Sequence, residues 1–344
     1  MYHPRLKGSH YEMGRKMGEI FRINKAEFPI GLDKFQMEFG RKSAKILKKV
    51  FPEAAEEIRG VTDVIGYDNE KFTSWMMCMG CCMYNIDEFQ SVEVKGCTAF
   101  SFNRNGKIFY ARNNDLPPFL KKVCKSEYYE PEKKNRFILN TSSFINGEEG
   151  INEHGLVAAM TFVMPLLEEI RPGLNSVFLV RYILENCSSV AEGIVALKSL
   201  PIASNCNILL TDQSGSMAVA ECNPGEMNLR LPMKNSNGED FIITVNSFIS
   251  EKMKRHEPAG HNTYLSYERY QTVLNALKSG CGRNPTEYAK DILSGRLGFM
   301  CQYEKKLNFE TVWASIFEVM DMKVLRAEGN PGRKCFIEDK RLKS

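Results

Sequence analysis

The chain has 344 residues, of which 43% are hydrophobic and 26% charged, and its 46 basic and 42 acidic residues leave a net charge of +4. This composition is ordinary for a globular protein, and the scattered basic residues argue against a nucleic-acid partner. No run approaches the ~18 consecutive apolar residues of a membrane helix, so we expect no membrane association. The N-terminal residues lack the apolar stretch of a secretory signal, so we expect a cytoplasmic protein.

The first ninety residues carry helical patterns. Ser9 and Glu12 have the spacing of a capping box. An apolar stripe at helical spacing follows, formed by Met13, Met17, Ile20 and Phe21. Apolar residues continue through 50–65, and residues 72–84 are apolar and rich in methionine. Stripes of this kind usually belong to a core.

From about residue 94 the pattern changes to short alternating segments, which predict strands joined by polar turns such as Asn105-Gly106. Two helical blocks interrupt them, at 177–200 and 264–293. Hairpins with helices grouped between them indicate an α+β fold of layered sheets in one globule. The predicted strands are 97–102, 107–113, 136–142, 156–162, 207–211, 216–221, 241–245, 311–318 and 323–328.

The hairpin that begins with Gly96 and Cys97 brings a thiol close to charged side chains. A four-residue loop would pair Cys97 with Arg112, whereas a two-residue loop would pair it with Asn114. Either register leaves Cys97 within a few residues of Arg112 and Asp115. The guanidinium of Arg112 would favour the thiolate, which is the reactive form of cysteine.

A cysteine at a chain terminus can use its own α-amine as the base, because the pKa of that amine is about 7.7–8.0. Cys97 acquires such an amine only if the Gly96–Cys97 bond is cut. Glycine suits this position, since it has no Cβ and its carbonyl can be approached closely. Attack of the Cys97 thiol on Gly96 would move the acyl group to sulfur, and water would release it. We therefore predict a pro-segment, residues 1–96, and a catalytic chain, residues 97–344.

These features resemble the N-terminal-nucleophile hydrolases, and in particular the acyl-coenzyme A:6-aminopenicillanic acid acyltransferase family with its relatives, the penicillin V acylases and choloylglycine hydrolases. The resemblance runs from about Arg5 to Arg333. The junction Gly96-Cys97-Thr98 matches the processing site of the family, and Arg112-Asn113-Asn114-Asp115 matches the strand that supports the nucleophile. Further segments match in the same order, at 8–14, 51–60, 152–156, 245–247, 267–269 and 311–317.

The resemblance implies a four-layer αββα sandwich preceded by a helical pro-segment. It also implies that Cys97 is both nucleophile and base, and that Arg112 and Asp115 position the thiolate and α-amine. Asn246 would contribute to the oxyanion hole, Arg269 would complete the charge network, and Thr161 occupies the place of a second oxyanion donor. The mixture of hydrolase-like and acyltransferase-like features leaves hydrolysis and transfer both open.

The implied substrate is a linear amide between an acyl group and a small amine, and acyl-coenzyme A is a possible acyl donor. No cofactor or metal is required. The partners we expect are this small molecule and the chain's own pro-segment, and a homo-oligomer is compatible with the sequence.

Two other functions stay open at this stage. In the first, an unprocessed cysteine hydrolase uses a separate base, His154. In the second, a non-catalytic cysteine-rich protein uses Cys78, Cys81 and Cys82 for a metal or redox role. The chain has eleven cysteines, and without an export signal most of them should be reduced and buried.

Overall fold

The computed structural model describes residues 1–28, 30–83, 96–260, 262, 265–280, 284–300, 303–304 and 309–343. Among these residues the helices are α1 (His10–Ile23), α2 (Lys34–Val50), α3 (Pro52–Ile65), α4 (Asn69–Cys78), α5 (Ser176–Asn186), α6 (Val190–Ser199), α7 (Glu251–Lys254), α8 (Ser266–Lys278) and α9 (Pro285–Leu293). No described helix is both long enough and apolar enough to cross a membrane.

The strands fall into two sheets. They are β1 (Arg5–Gly8), β2 (Gly96–Arg104), β3 (Lys107–Leu116), β4 (Lys125–Pro131), β5 (Phe137–Thr141), β6 (Glu149–Asn152), β7 (Val157–Phe162), β8 (Cys206–Thr211), β9 (Met217–Asn223), β10 (Glu226–Arg230), β11 (Met233–Lys234), β12 (Asp240–Thr244), β13 (Tyr303–Glu304), β14 (Phe309–Glu318), β15 (Lys323–Ala327) and β16 (Ile337–Asp339). The first sheet has the order β1-β4-β5-β6-β7-β8-β9-β10. The second has the order β11-β12-β2-β3-β14-β15-β16, and β13 pairs with β14.

Three hydrophobic clusters show how the layers stack. Between the sheets, Ala99 and Tyr110 of the second sheet share a cluster with Ile138 and Leu209 of the first. The other face of the first sheet packs on helices α1, α3, α5 and α6. The other face of the second sheet packs on α8 and α9. The α+β, four-layer αββα architecture is therefore confirmed, because each sheet buries one face against the other sheet and one against helices.

The helix boundaries follow local chemistry. The predicted capping box at Ser9 and Glu12 is present at the start of α1. The apolar pattern of 50–65 is split, because α2 ends at Val50 and α3 begins at Pro52. Proline lacks the backbone N–H that a helix interior requires but is favoured in its first turn. The helix predicted within 72–84 runs from Asn69 to Cys78, and residue 84 lies outside the described residues.

The N-terminal segment is more than a set of helices, which corrects the expectation for the first ninety residues. Strand β1 pairs in parallel with β4 at the edge of the first sheet. Neither strand shows a strong alternating pattern, and their pairing spans more than a hundred residues of sequence. The segment also packs its helices into the hydrophobic cluster on the outer face of that sheet. It is thus built into the same globule as the remainder of the chain.

A buried ionic network joins the N-terminal segment to α5. Arg181 Nη2 donates to Glu57 Oε2 at 2.7 Å, and Arg181 Nε donates to Glu185 Oε2 at 2.9 Å. His10 Nε2 lies 2.6 Å from Glu185 Oε1. The hydroxyl of Tyr129 donates to Glu57 Oε1 at 2.9 Å, while the Arg181 guanidinium stacks 3.9 Å above the centre of the Tyr129 ring. The buried charge of Arg181 is thus paired with two carboxylates, as the burial of charges requires.

Candidate functional site

The β2–β3 hairpin settles which of the two predicted registers holds. Arg104 pairs with Lys107, and Cys97 pairs with Asn114. The two-residue loop is Asn105-Gly106, and both residues have positive φ values, 52° and 76°. Asparagine and glycine tolerate this backbone better than other residues, and the turn matches the twist of the flanking strands. The register places Cys97 and Asn114 side by side on the face toward the other sheet.

The backbone atoms of Cys97 are held by side chains from outside the hairpin. Its backbone nitrogen donates to Asn246 Oδ1 at 2.6 Å, just beyond the end of β12. Arg269 Nη1, from α8, donates to the Cys97 carbonyl oxygen at 2.7 Å. Arg269 Nη2 also donates to Asn246 Oδ1 at 3.0 Å. The nitrogen of the Gly96–Cys97 peptide bond is thereby fixed in a buried polar network.

The Cys97 sulfur contacts two polar side chains. Arg112 Nη2 lies 3.1 Å from Sγ, and Sγ donates to Asn114 Oδ1 at 3.3 Å. Arg112 is itself oriented, since Nη1 donates to the Met160 carbonyl at 2.5 Å and Nη2 to Asn114 Oδ1 at 2.7 Å. Burial raises the pKa of the Cys97 thiol, and the charge of Arg112 opposes that shift. The uncleaved chain therefore holds a neutral thiol beside a cation that favours its ionisation.

Asp115 lies on the opposite face of β3, where it pairs with Gly96 across the hairpin. Thr311 Oγ1 donates to Asp115 Oδ1 at 2.5 Å. The other oxygen, Oδ2, is buried and accepts no hydrogen bond from the described residues. Burial raises the pKa of this carboxyl to about 6, against the opposing effects of Arg269, Thr311 and Arg112. Burying a carboxylate oxygen without a hydrogen-bond donor costs free energy, so a cation next to Oδ2 would be stabilised.

A second buried carboxylate, Glu149 on β6, interacts electrostatically with Arg112. Glu149 accepts hydrogen bonds from the Trp313 indole at 2.7 Å, the Tyr110 hydroxyl at 2.8 Å and the Ser315 hydroxyl at 2.7 Å. Burial acts to lower the pKa of Arg112, but Cys97, Tyr110 and Glu149 act to raise it, and the net direction is upward. The guanidinium is therefore a permanent positive charge next to the thiol.

Thr161 is buried near the site, but its hydroxyl is engaged elsewhere. It donates to the Val245 carbonyl at 2.6 Å and lies 3.0 Å from the Thr244 hydroxyl. Asn207 Nδ2 donates to the Thr161 hydroxyl at 3.2 Å and to the Val245 carbonyl at 2.9 Å. Thr161 and Asn207 together fix the backbone that leads into Asn246. The sequence carries no local sign of the role of Asn207, which only the contact between strands shows.

Residues of the two alternative functions lie elsewhere. His154 is exposed in the turn before β7, and its Nε2 lies 3.1 Å from Asn135 Oδ1. The Met160 carbonyl that binds Arg112 is near the far end of β7. Cys78, Cys81 and Cys82 are buried, and a hydrogen bond with Cys82 together with burial raises the pKa of the Cys78 thiol. Within the described ranges, no group of three or more His, Cys, Asp or Glu residues is arranged to hold a metal ion.

The site and the fold together define a class of protein: a four-layer αββα sandwich with a buried cysteine, contacted by two arginines, as the second residue of β2. The family model of acyl-coenzyme A:6-aminopenicillanic acid acyl-transferase matches residues 101–333. The chain belongs to this family, as the sequence motifs predicted. The match contains Arg112, Asp115, Thr161, Asn246 and Arg269, and it begins four positions after Cys97.

Comparison with solved structures finds matches of low sequence identity, among them three hydrolase structures. A penicillin V acylase from Agrobacterium tumefaciens has 16% identity and a TM-score of 0.43, over 67% of this chain and 83% of that chain. A variant of a conjugated bile acid hydrolase from Clostridium perfringens has 12% identity and a TM-score of 0.43, over 67% of this chain and 89% of that chain. A second variant of that hydrolase, also 12% identical, has a TM-score of 0.40 over the same shares. Comparison with curated protein sequences finds no match.

Proposed function

We propose that this protein is an autoprocessed cysteine amidohydrolase or acyltransferase that cleaves or transfers the acyl group of a linear amide through a thioester on Cys97. The observation that carries this proposal is the environment of one residue. Asn246, Arg269 and Arg112, from three separate parts of the chain, contact the nitrogen, the carbonyl oxygen and the sulfur of Cys97. Membership of an acyltransferase family supports the reaction type.

The first reaction is self-cleavage. The Cys97 sulfur attacks the Gly96 carbonyl carbon, the C–N bond breaks, and the departing nitrogen receives the thiol proton. This gives a thioester between Gly96 and Sγ and a free α-amine on Cys97. Water then hydrolyses the thioester, which releases a Gly96 carboxylate and restores the thiol. Asn246 supports the first step, because its oxygen already holds the Cys97 N–H in place.

The new α-amine would then serve as the base. Asp115 Oδ2, which is buried and accepts no bond from the described residues, would gain the ammonium as a partner. The α-amine takes the proton of the thiol, Arg112 stabilises the resulting thiolate, and sulfur attacks the acyl carbon of the substrate. Asn246 Nδ2 donates to the Phe162 carbonyl at 2.9 Å and keeps a second hydrogen for the developing oxyanion. The proton returns to the leaving amine.

The molecule that attacks the acyl thioester on Cys97 determines whether the reaction is hydrolysis or transfer. Water would complete hydrolysis, and a second amine would complete transfer. Arg269 would hold Asn246 and the Cys97 backbone in position during each step of the reaction. Thr161, with its proton on the Val245 carbonyl, would support the oxyanion hole through the backbone next to Asn246. A second oxyanion donor at Thr161 itself would require that hydroxyl to turn.

Segment 1–96 would stay bound as a separate chain after cleavage. The parallel pairing of β1 with β4, the shared hydrophobic cluster and the buried Glu57–Arg181 pair support this proposal. None of these contacts depends on the Gly96–Cys97 bond.

A panel of acyl donors tests the function. It contains penicillin V, conjugated bile salts, N-acyl homoserine lactones, N-acyl amino acids and acyl-coenzyme A with small amines. The wild-type chain should turn over at least one donor and form an acyl-Cys97 adduct detectable by mass spectrometry. Cys97→Ala should form neither adduct nor product, while Cys335→Ala, which removes an exposed thiol, should retain both. Amide turnover by Cys97→Ala would refute the proposal.

A further inference from the structure

Asn114 contacts the Cys97 sulfur, and half of its amide has no hydrogen-bond partner among the described residues. Its oxygen accepts bonds from Cys97 Sγ and Arg112 Nη2. Its nitrogen, Nδ2, is buried and donates to none of the described residues. The side chain is 1% exposed, so water does not replace the missing acceptor by simple solvation. A buried amide left in this state calls for an explanation.

The orientation of the amide is fixed by the charge beside it. A guanidinium only donates hydrogen bonds, so the atom of Asn114 that lies 2.7 Å from Arg112 Nη2 must be the oxygen. Turning the amide over would place two donors against each other. The unpartnered atom is therefore Nδ2, and covalent geometry keeps it next to the sulfur that is to carry the acyl group.

The order of the strands determines which part of the substrate Nδ2 would meet. In the second sheet β2 lies between β12 and β3, so Asn246 and Asn114 flank Cys97 on opposite sides. The Cys97 nitrogen, which must return a proton to the leaving amine, lies on the Asn246 side. The oxyanion donor of Asn246 is on that side too. The acyl chain, as the remaining substituent of the tetrahedral carbon, is then directed toward Asn114.

We infer that Asn114 is a specificity-determining residue whose Nδ2 donates a hydrogen bond to an oxygen of the acyl chain, two or three bonds beyond the scissile carbonyl carbon. The preferred acyl groups are therefore 2- or 3-oxygenated: hydroxy, oxo or ether acyl chains rather than plain alkyl chains. This inference rests on the proposed function. A plain methylene at that position would leave the buried donor unsatisfied, which costs about ten- to a hundredfold in kcat/KM.

Matched substrates test the inference without any mutation. Hexanoyl and 3-oxohexanoyl amides of one amine form one pair, and 3-phenylpropanoyl and phenoxyacetyl amides form a second, nearly isosteric pair. Wild-type kcat/KM should be about ten- to a hundredfold higher for the oxygenated member of each pair. Equal values, or a preference for methylene, would overturn the inference while leaving the proposed function intact. Absence of both turnover and acyl-Cys97 in every pair would overturn the two together.

A variant of Asn114 tests whether this residue causes the preference for oxygenated acyl groups. Asn114→Leu keeps the approximate volume and removes the donor, so the ratio between paired substrates should fall to about one. The control is Asn113→Leu on the opposite face of β3, where the native amide donates to the Leu293 carbonyl at 2.8 Å. That variant should keep the wild-type ratio. A ratio that Asn114→Leu leaves unchanged would overturn the assignment to Asn114.

Discussion

The backbone nitrogen of Cys97 donates a hydrogen bond of 2.6 Å to Asn246 Oδ1, although 149 positions separate the two residues. The bond holds one side of the peptide bond that self-cleavage would break. After cleavage the same oxygen would hold the α-amine. One contact thus serves both reactions of the proposed mechanism.

Replacement of Asn246 by leucine removes this acceptor and the oxyanion donor. We expect Asn246→Leu to remain uncleaved and to lose amide turnover by at least about 10²-fold. Gel electrophoresis and kcat/KM measurements check the two effects. The control is Asn228→Leu, which removes a hydrogen bond to Ser250 on the neighbouring loop and should leave cleavage intact. Cleavage of Asn246→Leu at the wild-type rate would contradict the role.

Arg112 should control the ionisation of the Cys97 thiol. Burial raises the pKa of Cys97 and the Arg112 guanidinium opposes that shift, so Arg112→Leu should raise the pKa of Cys97 further. The measurement is the pH dependence of alkylation of Cys97, followed by peptide mass spectrometry. Arg104→Leu, in the same hairpin, removes an ion pair with Glu239. It should not shift the pH dependence of Cys97 alkylation. An unshifted profile in Arg112→Leu would refute this prediction.

Asp115 should destabilise the uncleaved chain as the pH rises. Its pKa is about 6 when folded, against an ordinary value of 3.8. Between these values the folded chain binds the proton more tightly than the unfolded chain, so stability falls from about pH 4 to about pH 6, by up to about 3 kcal/mol. Urea unfolding of Cys97→Ala across this range measures the loss. Adding Asp115→Asn to this variant should remove the loss of stability between about pH 4 and about pH 6. An unchanged dependence of stability on pH would show that Asp115 does not cause the loss.

His154 should be dispensable. Its imidazole is exposed in the turn before β7 and contacts Asn135. His154→Ala should therefore keep both self-cleavage and turnover within about twofold of wild type, since exposed substitutions seldom have large effects. A loss of turnover comparable to that of Cys97→Ala would instead support an unprocessed hydrolase with a histidine base.

Glu57 should stabilise the packing of the N-terminal segment against the rest of the protein. Glu57→Gln leaves Arg181 with one fewer buried carboxylate, and breaking such a pair costs about 3–5 kcal/mol. Urea unfolding measures the loss, and size-exclusion chromatography of cleaved protein detects any release of the segment. The neighbouring Glu56→Gln breaks an exposed pair with Arg59 and should cost about 0–1 kcal/mol. Equal stability of the two variants would contradict the structural role of Glu57.

The sequence predicted those parts of the fold that depend on local chemistry. The turn residues Asn105 and Gly106 identified the hairpin, and the structure selected one of its two registers. The four-layer architecture followed from the order of strands and helices together with the family motifs. Strand β1 was not predicted, because its four residues gain their structure from parallel pairing with β4, a partner that no local pattern specifies.

The site was predictable in its residue types but not in its hydrogen bonds. The Gly-Cys-Thr junction predicted Cys97 as the candidate nucleophile, and the motif Arg112-Asn113-Asn114-Asp115 predicted charged side chains near it. The hydrogen bond from the Thr161 hydroxyl to the Val245 carbonyl depends on packing between the two sheets. The position of the Arg112 guanidinium likewise fixes the Asn114 amide so that its nitrogen finds no acceptor among the described residues. Sequence alone contains neither relationship.

Intact-mass spectrometry of the purified wild-type protein, combined with N-terminal sequencing, tests the central claim most directly. We predict two chains, one ending at Gly96 and one beginning with Cys97, and a single full-length chain for Cys97→Ala. Wild-type protein that turns over amides while Gly96 is still joined to Cys97 would contradict the account.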